Sequence, residues 1–115
     1  MLHKLLLIAC LLLSSPDGID TDKVRYGNLN NFKKGQTVHV IDSKKVYNKI
    51  PAYKTIIKKK LEKGSAEYTH LMLEATQLYK STLGKSGLRL IVEFDGVDES
   101  LHNTEDVTQK IISLL

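Results

Sequence analysis

The chain has 115 residues, 42% hydrophobic and 26% charged, which suits one folded domain with a modest core and excludes a disordered, low-complexity chain. A single cysteine and the absence of tryptophan exclude a disulfide scaffold and a cysteine-based zinc site, and leave an aliphatic core. Seventeen Lys and Arg against 13 Asp and Glu give a net charge of +4 and a pI near 9.1, a mild excess that favours acidic partners without identifying one.

Residues 1–18, "MLHKLLLIACLLLSSPDG", place His3 and Lys4 before an apolar run from Leu5 to Leu13 and a polar Ser14–Gly18 stretch. That is the order of a secretory signal, and the run is too short to span a bilayer as a helix. Cys10 closes "LIAC", the form of a lipid-attachment box. The apolar run continues past it, however, so anchoring at Cys10 is not expected. Residues 19–37 are polar and carry Gly27, Gly35 and several Asn, so they read as a linker or a loosely ordered lead-in.

Val38–Ile41 reads as a short strand. Asp42 or Ser43 caps a helix over Ser43–Lys49, because a short side-chain oxygen satisfies an orphan N–H at a helix start. Val46, Ile50, Tyr53, Ile57 and Leu61 share one helical face. Pro51, which has no N–H to donate, fits the first turn of a second helix. A single kinked helix is the alternative, and the sequence does not separate the two. "EKGSAE" is the next turn, with Gly64 suited to a left-handed position and Ser65 to a cap. Tyr68, Leu71, Ala75, Leu78 and Thr82 then mark a helix of roughly 19 residues, about 28 Å long. Met72 and Tyr79 widen its stripe. Two such helices across a two-residue turn make an antiparallel helical hairpin over about 51–83.

Gly84 and Gly87 end the hairpin. In "LRLIVEF", Leu88, Leu90, Val92 and Phe94 alternate with Arg89, Ile91 and Glu93, as in a half-buried strand. A turn at "DGVDES" and a short strand near Ser100–His102 follow. Asn103 or Thr104 then caps a last helix with Val107, Ile111 and Leu114 on one face. The expected class is α+β: a small β body from the N- and C-terminal strands, a projecting helical hairpin and a C-terminal helix. Two or three strands make a sheet of marginal stability in water, so this plan invites copies of the chain to share one.

The candidate binding residues cluster on the hairpin. Lys54, Lys58, Lys59, Lys60 and Lys63 crowd toward its tip, with only Glu62 to offset them. Like charges at i, i+4 cost helix stability, so the cluster is more than a bland solvated face. It would attract acidic polypeptides, an anionic membrane surface or lipopolysaccharide, with salt-dependent strength. Leu73 falls off the main apolar stripe, as does one of the adjacent pair Ile56 and Ile57. Ile56 and Leu73 are the expected apolar client contacts, and packing against a neighbouring arm is the alternative for Leu73. A wall of apolar and cationic groups suits a holder that must not choose one sequence.

Signals for chemistry are weak. "LGKSG" lacks the first glycine of a phosphate-binding loop, where Tyr79 stands, and follows a helix instead of a strand. His39, His70 and His102 show no ligand spacing, so no metal is expected. Glu93, Asp95 and Asp98 suit turn chemistry. No nucleophile stands beside a base, and no cofactor or catalytic residue is expected. Lysine-rich helices without interleaved Arg and aromatics do not point to nucleic acid.

Two stretches carry a family resemblance. "VHVIDSKKVYNKIPAYK" looks like the opening strand, junction, short helix and arm-opening proline of the Skp/OmpH periplasmic chaperones. "LRLIVEFDGVDESLHNTEDVTQKIISLL" resembles their closing strand, turn, short strand and final helix, here begun by Asp106-Val107-Thr108. The match covers roughly 38–57 and 88–115, giving an OmpH-like domain over 38–115. The resemblance implies a homotrimer whose shared body takes in Val38, Val40, Leu88, Leu90 and Val92. It also implies a periplasmic location, and arms that hold unfolded outer-membrane proteins without ATP. Two departures stand out: the hairpin is much shorter than the family's arms, and residues 19–37 are extra. The first leaves open a structural or adaptor trimer that has lost client holding.

Overall fold

The computed structural model describes residues 18–115; the expected leader, residues 1–18, lies outside the described residues but for Gly18. The class is α+β, with a four-stranded sheet and four α-helices among the described residues. The strands are β1 (Val24–Gly27), β2 (Val38–Ile41), β3 (Leu90–Glu93) and β4 (Thr104–Asp106). The helices are α1 (Ser43–Tyr47), α2 (Pro51–Lys59), α3 (Ala66–Lys85) and α4 (Thr108–Leu114). The chain folds into two compact units. A sheet unit takes residues 18–40 and Arg89–Glu105; a helical unit takes Ile41–Leu88 and Asp106–Leu115.

In the sheet unit the strand order is β1-β3-β2-β4. Residues 19–37, read from composition as a linker or lead-in, supply β1 and two 3-10 turns, Thr21–Lys23 and Leu29–Asn31. β1 runs antiparallel to β3, with Val24 opposite Val92, Tyr26 opposite Ile91, Gly27 opposite Leu90, and an irregularity at Arg25. Ile19 bridges Val97 one step further out. Gly27 is required there: at φ +88°, a Cβ would stand 1.9 Å from the Arg89 carbonyl oxygen. Ile19, Val38, Val40, Leu90 and Val92 form the core, with Val24, Leu29, Phe32 and Val97 packed against it.

β3 departs from the half-buried pattern. Leu90, Ile91, Val92 and Glu93 are all buried, while Phe94 is 51% exposed and begins a 3-10 turn. A central strand is covered on both faces, so its sequence need not alternate. The last strand is at Thr104–Asp106 instead of Ser100–His102, because Asp98 takes residues 98–101 into a turn.

The helical unit is built from local signals. The Asp42 carboxylate accepts from the Lys45 N–H, and the Asp42 N–H donates to Thr108 Oγ1 at 2.9 Å. Pro51 stands in the first turn of α2 after an extended Ile50, so the chain makes two helices and not one kinked helix. α2 packs along α3, and α4 packs on α1 and α3. Val46, Ile50, Ala52, Ile56, Ala75, Tyr79, Leu83, Val107 and Ile111 are buried. Tyr47 lies between Tyr53 and Tyr79, at ring distances of 5.5 and 4.8 Å.

Several boundaries moved. α2 stops at Lys59, and Lys60 takes the left-handed cap position at φ 53°, leaving a loop over 60–65 in place of a two-residue turn. Gly64 is left-handed too, but it precedes Ser65, whose Oγ accepts from the Tyr68 N–H as expected. Gly84 lies inside α3, and Gly87 at φ +76° follows its end. α4 starts later than expected, with Val107 at its cap position, because residues 104–106 are held in the sheet; one residue before that, the Asp106 carboxylate accepts from both the N–H and the hydroxyl of Thr108.

Candidate functional site

The sequence places most of its cations on one unit. The helical unit holds eleven lysines against five Asp and Glu, a net +6, whereas the described sheet unit holds five Lys and Arg against seven Asp and Glu, a net −2. The candidate surface is α2, the loop 60–65 and the start of α3. Lys58 and Lys59 occupy the last turn of α2, where unpaired carbonyls favour a cation. The Lys60 N–H donates to the carbonyls of Ile56 and Ile57, and the Leu61 N–H donates to the Ile56 carbonyl at 3.1 Å. This closes the helix on a non-glycine left-handed residue, at a cost of about 1 kcal/mol.

Lys54, Lys58, Lys59, Lys60 and Lys63 are all exposed. Lys59 Nζ meets Glu67 Oε1 at 2.9 Å; both side chains are about half exposed, so the pair contributes only a few tenths of a kcal/mol. The other four have no acidic partner within 4.0 Å among the described residues. Their charge therefore faces outward.

The apolar candidates divide. Leu73 is 57% exposed. Ile56, expected beside it, is buried at 6% and its neighbour Ile57 is 55% exposed. The helix rotates so that Ala52 and Ile56, four residues apart, turn inward. The outward apolar residues are thus Ile57 on α2 and Leu73 on α3. Adjacent isoleucines are indistinguishable by hydropathy, and only the packing of α2 on α3 chooses between them.

The residues proposed for a shared body behave differently. Val38, Val40, Leu90 and Val92 are buried within the chain by its own lead-in. Leu88 precedes β3, is half-buried, and belongs to the helical unit. Arg25, which sequence reasoning missed, donates from Nε to Glu93 Oε1 at 2.9 Å. The only hint was a β-prone "VRY" triplet ahead of Gly27 in otherwise polar sequence.

The acidic residues of the Glu93–Asp98 turn have separate tasks. Glu93 pairs with Arg25, and Asp95 lies 3.5 Å from Lys23. Asp98 accepts from the hydroxyl and then the N–H of Ser100, which hold its carboxyl below the ordinary carboxylate value. Among the described residues no three His, Cys, Asp or Glu are grouped to hold a metal, and no helix is long and apolar enough to cross a membrane. No family model, no curated protein and no solved structure matches the chain.

Proposed function

We propose that the chain is an ATP-independent, short-armed holding chaperone of the periplasm, similar to the Skp/OmpH proteins. It works as a homotrimer and limits the aggregation of unfolded outer-membrane proteins. The observation that carries this reading is the outward surface of α2 and α3, where Lys54, Lys58, Lys60 and Lys63 stand free of acidic partners and Ile57 and Leu73 are more than half exposed. Cations draw an acidic unfolded chain in, and scattered apolar side chains give many weak contacts without sequence choice. The helical hairpin is the arm, Pro51 opens it, and the sheet unit is the body.

The test is light scattering as a urea-unfolded outer-membrane barrel is diluted into buffer with severalfold excess of the chain, at low and high salt. Suppression that fades with salt is the expected result. Unchanged scattering at every ratio overturns the holding reading.

A specific observation favours a second reading, a structural or adaptor trimer. α2 has nine residues, about 13 Å of helix, so three such arms enclose little space. This reading predicts a trimer with no effect on aggregation.

A further inference from the structure

We infer that the outward face of α2 reads a pattern in its partner: an extended segment with acidic side chains at alternate positions and an apolar one between them. The inference rests on the holding reading above and names the client feature that this face takes.

From Ser43 to Leu61 the chain carries seven lysines and no Asp or Glu. α2 lies inside this stretch. Its inward side is set by Ala52 and Ile56, which are buried. Helical periodicity then turns Lys54, Ile57 and Lys58 outward together, and all three are exposed. Lys54 and Lys58 stand at i and i+4 with no carboxylate within 4.0 Å among the described residues; Lys59, by contrast, meets Glu67. Like charges at that spacing repel, so carboxylates brought from outside would stabilise the face.

The spacing decides what fits. Four helical residues rise about 6 Å, and two residues of an extended chain rise about 6.6 Å. A strand lying edge-on along α2 therefore brings one side chain to Lys54 and the next but one to Lys58. The side chain between them points to the strand's other side. Ile57 flanks the lysine row at a height between the two, so that intervening side chain meets it and is favoured when apolar. Membrane β-barrel strands alternate polar and apolar residues with the same period of two, so an unfolded barrel carries such segments wherever its polar positions are acidic. A single-stranded nucleic acid fits less well. α2 has no Arg, and its one aromatic residue, Tyr53, is half-buried against Tyr47 instead of open to a base.

The test follows labelled peptides binding to the full chain at low salt by fluorescence anisotropy. One peptide carries Glu-Leu-Glu-Leu-Glu between Gly-Ser flanks, and the other has the same composition with its Glu and Leu in separate blocks. The alternating peptide is expected to bind about fivefold tighter, the scale of two exposed ion pairs. Lys54→Gln with Lys58→Gln removes that preference, as does Ile57→Ser. Lys80→Gln with Lys85→Gln, exposed lysines at the far end of α3, leaves it intact. Equal affinity for the two peptides, or a preference that survives the α2 substitutions, overturns the pattern. Tighter binding of a single-stranded oligonucleotide of equal charge, lost with the same two lysines, overturns the choice of partner. The barrel dilution assay on the same samples separates the two claims. Suppressed scattering with equal peptide affinities removes the pattern and keeps the holding reading; unchanged scattering with the preference present removes the holding reading and keeps the peptide site.

Discussion

The two units reach stability by different routes. The helical unit is built from short-range signals. Asp42, Pro51, Ser65 and Asp106 each satisfy or excuse orphan N–H groups within a few residues, and the helices they start then pack together. The sheet unit depends on distant partners. β1 and β3 are some 65 residues apart in sequence, and Arg25 meets Glu93 across a separation of 68. Their charges differ as well, a net +6 against a net −2. A unit held by local caps keeps its outward face free for lysines. The sheet unit fastens the lead-in with two ion pairs, Lys23 to Asp95 and Arg25 to Glu93. On the proposed reading, the first meets clients and the second is the body.

The comparison breaks most visibly in the sheet. Ile91 is fully buried in the central strand, so Ile91→Ala costs about 3 kcal/mol. Urea unfolding followed by circular dichroism reads this as a lowered midpoint. Gly27→Ala is next, at about 2 kcal/mol, because a side chain there is both left-handed and in collision. Hydrogen exchange should show its effect first in β1, with the amides of α2 and α3 unmoved.

In the helical unit, Asp106→Ala removes the carboxylate that caps the Thr108 N–H at the start of α4, worth about 1 kcal/mol. The Thr108 hydroxyl, then its N–H, holds the Asp106 carboxyl below its ordinary value. With a depressed folded-state pKa, the cap contributes fully above the ordinary carboxylate value near pH 4 and is lost as pH falls through the lowered one. The wild-type advantage over Asp106→Ala is therefore constant from about pH 5 to 8 and shrinks in acid, as thermal melts at stepped pH would show. The smallest effect has the opposite sign. Lys60→Gly relieves the left-handed cap and raises stability by about 0.5 kcal/mol, while removing one outward cation.

Legibility followed the same division. The start of α2 at Pro51, the cap at Ser65 and the strand at Val38–Ile41 were readable, because each depends on side-chain chemistry at the site itself. β1 was not. Its four residues lie among Asn, Gly and Lys, and only their pairing with β3 and the close approach of Gly27 to Arg89 make them a strand. The start of α4 lies beyond the expected cap at Asn103 or Thr104 for a related reason, since residues 104–106 are drawn into the sheet by β2. At the candidate surface the lysines were evident from composition. The choice of Ile57 over Ile56 as the outward residue belongs to the packing of α2 on α3 and was not.

The most direct measurement of the central claim sets the wild type beside a chain carrying Lys54→Gln, Lys58→Gln, Lys60→Gln and Lys63→Gln in the dilution assay. All four side chains are exposed and outside the core, so the fold should persist, which circular dichroism would check. The account predicts that the wild type suppresses scattering at low salt, and that the substituted chain loses most of this and with it the salt dependence. Equal suppression by both chains would contradict a holder that works through its lysines.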